Sequence, residues 1–553
     1  MKTHGARRNT SISVVAVLLC AGLVAGCSSS GVVGAKNTGG SSGGSPDKST
    51  GSSSSSPSAS ALPTGKYTSV DAFYGQQISW GTCTTAPADD PKMDLSAFQC
   101  GTVDVPLDYT KPGGKYVKVA MVKWAAADPS KKVGSLLTNP GGPGASGVDF
   151  VEEAKQQFDG ALHANFDIIG FDPRGLGRSE PIRCLDDKTQ DALYEEDSPK
   201  DPAARKAKAE QDSKDLAAAC EKNSGDLLPF VGSNNVAKDM DVMRQVLGDK
   251  KLNYLGISYG TYIGSVYAEQ FPDKVGHLVL DGAVDPNADQ LESNVQQMVG
   301  FEQSLEKFAS DCVTNHASEC PLTGDGKAAA QQLGTFVDGL RDHPLPTGSG
   351  RKLDQSLGWT GVIIGLYGDV GSSWWQYLRE GLTRAMKKGD GSVLLAGADQ
   401  YNGRDDNGHY STEQDGLIAV RCADFSTPAP SAEAVQKAYD ELKAGAPILN
   451  SDLSKDDLAE PMCGDWPYQT PEKPHQIKAE GSDPILVVGT TGDPATPYQN
   501  AVNLAKGFAN ARLLTRVGTG HAAFGSGNAC AQSAMEAYLI SGTLPADGTR
   551  CTA

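Results

Sequence analysis

The sequence has no CxxC pair, no excess of positive charge and no apolar run long enough to span a bilayer. Without CxxC, its 12 cysteines offer no zinc-ribbon or thioredoxin-like motif. With 49 basic against 67 acidic residues, formal charge −18, it lacks the basic footprint that nucleic acid or anionic lipid requires of its main binder. Its N-terminal apolar run falls short of the roughly 20 residues of a spanning helix. No motif calls for a metal or a cofactor. What is present, 39% hydrophobic and 21% charged residues over 553 positions, is globular composition with enough apolar side chains for a sizeable core.

The N-terminus decides how the cysteines are read. Residues 1–26 carry Lys2, Arg7 and Arg8 and no acid, then the apolar run Val14 to Val24, the pattern of an export signal. The run ends Leu23-Val24-Ala25-Gly26-Cys27, which resembles a bacterial lipobox whose cysteine receives lipid; ordinary cleavage near Ala25 is the alternative. Residues 28–60 hold 14 Ser and 7 Gly, which bury nothing and read, to about residue 62, as a flexible tether. Such a tether reaches about 30–35 Å. The expected product is exported and anchored to a membrane by lipid, facing outward, with release from the cell as the alternative. Loss of residues 1–26 takes three basic residues with it and moves the charge from −18 to −21. Cys20 goes with the signal and Cys27 to lipid, leaving ten cysteines from Cys83 to Cys551. In an exported chain they read as disulfides. Ten cysteines allow about 945 pairings, and five sequence-neighbour pairs are the simplest expectation.

From residue 63 onward short apolar runs are bounded by Gly, Pro or Asp. Val103–Leu107 and Tyr116–Lys123 flank the turn Lys111-Pro112-Gly113-Gly114 and read as a hairpin. Val133–Leu137, Phe166–Phe171, Leu252–Leu255, Val275–Leu280, Pro484–Val488 and Arg512–Val517 lack polar alternation, as strands buried on both faces do. Helical stretches such as Ala203–Asn223 and Tyr259–Gln270 lie between them, which makes an α/β fold with a mostly parallel sheet. Residues 286–480 read as mainly helical, with Gln290–Asp311, Ala328–Leu340, Trp374–Lys388 and Ala432–Ala444 as candidates. We expect a cap inserted between sheet-forming parts at 63–285 and 481–553; a second independent domain is the alternative.

Leu255-Gly256-Ile257-Ser258-Tyr259-Gly260 is G-x-S-x-G set after a strand and before a helix. Small residues let that turn close on itself and lift the serine clear of the sheet. Gly39-Gly40-Ser41-Ser42-Gly43 in the tether matches the same pattern by composition alone, so the context selects Ser258. An acid and a histidine should follow in that order. His521 is the one of eight histidines beyond the last two strand candidates, in the loop Gly518-Thr519-Gly520-His521. Asp493 is the first acid after Pro484–Val488; a turn Asp before Pro494 is its bland reading. The oxyanion hole would take one N–H from Tyr259 and one from the loop Asn139-Pro140-Gly141-Gly142-Pro143-Gly144, with Gly142 as the donor. A dinucleotide phosphate loop competes for that run, and the spacing from Gly141 to Gly144 argues against it.

Together, GGPG after a strand, Asp172-Pro173-Arg174-Gly175-Leu176-Gly177-Arg178-Ser179, Gly256-Ile257-Ser258-Tyr259-Gly260 and Gly489-Thr490-Thr491-Gly492-Asp493-Pro494-Ala495-Thr496-Pro497 resemble the secreted tripeptidyl aminopeptidases. These form part of the prolyl-aminopeptidase-like branch of the α/β-hydrolases and include lipoprotein forms. The resemblance covers roughly residues 65–553 and implies removal of short peptides, typically tripeptides, from free N-termini of peptides or proteins. Asn139-Pro140 departs from the His-Gly that many relatives outside this subgroup carry there.

An exopeptidase must hold the substrate's ammonium, which calls for a cap carboxylate; Glu292, Glu302 and Glu306 are candidates, and a solvated helix face is the plainer reading. Trp374, Trp375 and Tyr377 read as cap core rather than substrate wall. Two rivals to a serine exopeptidase remain: a carboxylesterase or lipase using the same groups, and a lipid-anchored binding protein on an inactive hydrolase fold.

Overall fold

A computed structural model of the chain describes residues 61–552, apart from 88–89, 196–198, 426–427, 460–462 and 469–472. The signal, Cys27 and almost all of the tether lie outside the described residues. Twelve strands run in chain order: β1 (Gly81–Thr82), β2 (Gln99–Pro106), β3 (Tyr116–Trp124), β4 (Gly134–Asn139), β5 (Phe166–Phe171), β6 (Leu252–Ile257), β7 (Val275–Asp281), β8 (Leu345–Pro346), β9 (Lys352–Leu353), β10 (Ile485–Gly492), β11 (Ala511–Thr519) and β12 (Arg550–Cys551). Ten of them form one sheet in the order β1-β2-β3-β5-β4-β6-β7-β10-β11-β12. The expected hairpin is there, β2 antiparallel to β3 with Val105 opposite Val117. From β5 across to β12 every pairing is parallel. This is the α/β-hydrolase fold.

The run of apolar residues in each central strand has a simple cause. Alternate side chains enter different cores. Ile169, Tyr254, Leu280 and Val487 join one buried cluster, while Ile168, Leu255, Val279 and Leu486 join another on the opposite face. With both faces covered, neither needs polar residues, and each such side chain stabilises by about 1.5–3 kcal/mol.

Between β7 and β10 lies a helical region with its own cluster around Phe301, Phe308, Val362, Trp375 and Leu394. Helices Gln290–Asn315, Gly326–Gly339, Ser373–Lys388 and Ala432–Gly445 lie where the pattern put them. Three more, Gln355–Leu366, Ser392–Asn402 and Glu413–Asp424, and the small β8–β9 ladder were not legible. Gln355–Leu366 is apolar nearly all round because it is buried on every side. Glu413–Asp424 packs with the sheet instead: Ala419, Val420 and Cys422 join the first cluster. Trp375 is fully buried in the helical region's core, edge-on to Phe308, and Tyr377 is half-buried against it, donating its hydroxyl to the Gly361 carbonyl.

Five disulfides link sequence neighbours, as expected: Cys83–Cys100, Cys184–Cys220, Cys312–Cys320, Cys422–Cys463 and Cys530–Cys551. Among the described residues no helix is long and apolar enough to cross a membrane.

Candidate active site

The site gathers at the ends of β4, β6, β7, β10 and β11, where parallel strands finish side by side. Ser258 follows β6 and precedes the helix Tyr259–Gln270, with φ 55° and ψ −124°. That backbone is strained for any residue but glycine and persists only when its surroundings enforce it. They do so by crowding. A Cβ on Gly256 would lie 2.4 Å from the Gly260 carbonyl oxygen, and one on Gly260 would lie 2.6 Å from that of Asn139. The Ser258 N–H donates to the Asp281 carbonyl at 2.9 Å, and Thr261 Oγ1 donates to the Ser258 carbonyl at 2.6 Å.

The glycine-rich loop after β4 presses on this turn. A Cβ on Gly141 would stand 2.7 Å from Tyr259 N and 2.8 Å from Ser258 Cβ. Asn139 Oδ1 accepts the Gly141 N–H at 3.0 Å and holds the loop in place. Extended to Gly147, the run Gly142-Pro143-Gly144-Ala145-Ser146-Gly147 does have G-x-G-x-x-G spacing. The spacing argument against a phosphate loop therefore fails; the serine packed against Gly141 is what favours the hydrolase reading.

Asp493 and His521 meet across the loops after β10 and β11. His521 Nδ1 lies 2.8 Å and 3.0 Å from the two Asp493 oxygens. A carboxylate only accepts, so Nδ1 carries the proton and Nε2 is the basic nitrogen. Asp493 Oδ1 also accepts the N–H groups of Ala495 and Thr496, and Oδ2 that of Ala522. Both residues are buried. Burial works to lower the His521 pKa, but the Asp493 carboxylate outweighs it, and the net shift is upward from 6.5. Ser258 and His521 approach the same point from two sides: Asp281 binds the serine N–H, and a Cβ on the next residue, Gly282, would lie 3.2 Å from His521 Cε1.

The Asp172–Ser179 motif supports the site from behind. Asp172 accepts from Ser146 Oγ and the Val148 N–H at the start of helix Gly147–Glu153, just after the glycine loop. Arg174 is fully buried and donates to both Asp239 oxygens and to the Pro106 and Leu107 carbonyls. Of the candidate acids in the helical region, Glu302 spends its oxygens on the N–H groups of Ile448 and Leu449 at 3.0 and 2.9 Å, which makes it structural. Among the described residues, Cys83, Cys100 and Glu152 bring ligand-type atoms within 4.8 Å of one another, but the two sulfurs are bonded to each other.

The family model described as TAP-like protein matches residues 450–551, which carry Asp493 and His521. The serine protease Hip1 of Mycobacterium tuberculosis is 37% identical over 487 residues, 86% of this chain and 91% of the relative. The chain belongs to the tripeptidyl aminopeptidase-like serine peptidases of the α/β-hydrolase fold. It is an enzyme. Other relatives are a carboxylesterase B of M. tuberculosis, 39% identical over 478 residues (86% of this chain, 90% of the relative), and a tripeptidyl aminopeptidase of Streptomyces lividans, 31% identical over 487 residues (86% of each).

In this tripeptidyl aminopeptidase-like chain the sequence missed three residues beside His521. Tyr367 accepts the His521 N–H on its carbonyl, 3.0 Å, and sets its ring edge-on to the imidazole. Asp369 bonds to Arg516 and to Thr519 Oγ1, so the helical region grips the histidine loop directly. Asp281 ends β7 fully buried, its carboxylate accepting the N–H groups of Ala523 and Phe524. Burial pushes its carboxyl up to about 6. An acid closing an apolar strand was the available signal for Asp281; nothing local marks the other two.

Proposed function

We propose that the chain is an extracellular serine exopeptidase that releases short peptides, tripeptides in the main, from free N-termini. The chemistry is supported by the buried Asp493–His521 pair together with Ser258 on its strained turn, the two joined through Asp281 and Gly282. Ser258 Oγ attacks the scissile carbonyl carbon while His521 Nε2 takes its proton. The oxyanion of the tetrahedral intermediate is met by the N–H groups of Tyr259 and Gly142; the Gly141 N–H is committed to Asn139. Collapse expels the amine, protonated by His521, and leaves a peptidyl ester on Ser258. Water, deprotonated by His521, then frees the acid. Asp493 keeps the imidazole in its tautomer and stabilises the imidazolium.

Action on peptides from the amino end is supported by the relatives named serine protease and tripeptidyl aminopeptidase. The relative named carboxylesterase B favours a second reading, ester hydrolysis with the same groups. A tripeptidyl anilide compared with its N-acetylated twin separates them. The exopeptidase reading predicts fast cleavage of the free peptide and loss with the blocked one. Equal rates, or turnover of esters alone, would overturn it. Export and lipid anchoring at Cys27 rest on the signal pattern and the Ser/Gly tether, and Cys27→Ala should release the protein from membranes.

A further inference from the structure

We infer that Asp281 is a positioning residue that sets the distance between nucleophile and base: one residue holds Ser258 with its main chain and the His521 loop with its side chain. This inference rests on the triad reading above.

The geometry is direct. The Asp281 carbonyl accepts the Ser258 N–H at 2.9 Å. Its carboxylate accepts the Ala523 N–H at 2.8 and 3.0 Å and the Phe524 N–H at 2.7 Å. Asp493 takes the preceding N–H, of Ala522, at 2.9 Å. Three successive amides after the histidine thus converge on two buried carboxylates. Outside the first turn of a helix, successive N–H groups converge where one residue of a turn enters the left-handed region, and Ala522 does so with φ 63°. An L-residue held there is strained and persists only where its surroundings hold it, and the two carboxylates are what hold these amides. Asp493 alone does not suffice, because it already binds the His521 ring and two N–H groups of its own loop.

Asp281 also acts through its charge. Asp493, His521 and Arg516 are the ionisable groups that face it, with Asp369 beyond Arg516. Arg516 spends its guanidinium on the Thr519 and Ala522 carbonyls and on Asp369, bracing the same loop from the other side. The negative charge of Asp281 adds to that of Asp493 in favouring protonated His521.

The test combines Asp281→Asn, Asp281→Ser and Ala522→Gly, alone and with each Asp281 variant. Asp281→Asn should lower kcat about 10- to 100-fold with KM nearly unchanged, as expected for a misplaced base rather than a lost substrate contact. The acid limb of kcat/KM should move to lower pH. NMR titration of ring-labelled His521 should move the same way, and exchange of the Ala523 and Phe524 amides should quicken. Ala522→Gly, which removes the strain, should restore part of the lost kcat in either Asp281 variant. If the variants lose thermal stability while kcat, the pH limb and the His521 titration stay put, Asp281 is only structural and the proposal falls. The NMR titration needs no turnover, so it decides the point even if the wild-type chain proves inactive; absence of wild-type activity would instead refute the triad reading.

Discussion

The two sides of the site are held by different forces. Ser258 is fixed by shape: Gly256, Gly260 and Gly141 bring backbone within reach of backbone, and a Cβ on any of them would fall within 3 Å of another atom. His521 is fixed by charge: Asp493 and Asp281 capture the amides around it, and Asp369 with Arg516 ties its loop to the helical region. Steric fixing is local and indifferent to pH. Fixing by buried carboxylates is long-range and answers to protonation. The nucleophile side should therefore fail by unfolding, and the base side by losing rate in a folded chain.

The largest expected effect lies on the base side. Asp493→Asn should keep the fold, because the amide oxygen still accepts from Ala495 and Thr496 and only the Ala522 N–H loses its acceptor, but lower kcat about 10⁴-fold by favouring the wrong imidazole tautomer. Steady-state kinetics with circular dichroism checks both halves of that statement. On the nucleophile side, Gly260→Ala should cost about 3 kcal/mol of stability in denaturant unfolding, since its Cβ would meet the Asn139 carbonyl, which cannot swing away. A folded but slow Gly260→Ala would erase the contrast.

Acidity separates the two sides further. His521 must be neutral to act as a base, and its pKa lies above 6.5. The kcat/KM profile should thus rise with pH through a midpoint above 6.5 and fall away below it. Asp281, pushed up to about 6, takes up a proton as pH drops further and loosens the same loop. Folding stability from the histidine runs the other way: a raised pKa adds stability at low pH that is lost as pH rises through the folded value. The smallest effect belongs outside both sides. Glu302→Gln should cost about 1 kcal/mol and leave kcat/KM alone, because Glu302 serves the Ile448 and Leu449 amides. A large rise in KM for free tripeptides would return Glu302 to the substrate.

What the sequence made legible follows the same division. Glycine crowding is local, so Gly256-Ile257-Ser258-Tyr259-Gly260 between a strand and a helix announces its geometry, and unbroken apolar runs announce the sheet. Order along the chain singled out Asp493 and His521, and the structure brings the two side chains together. Asp281 stands 242 residues from Ala523, and Asp369 stands 147 from Arg516; no spacing rule joins them. The helix Gln355–Leu366 escaped for a related reason, since burial on all sides leaves no polar face to betray its period. The helix Glu413–Asp424 lies between β7 and β10 by sequence yet packs into the core that covers one face of the sheet, with Asp424 accepting the Tyr259 hydroxyl.

The central claim is that Ser258 is the nucleophile of this site. A fluorophosphonate probe with peptide mapping of the folded chain tests it most directly. The account predicts one adduct, on Ser258, formed faster as pH rises past the His521 pKa and absent in Ser258→Ala. No adduct in the folded wild-type chain, or an adduct on another residue, would contradict it.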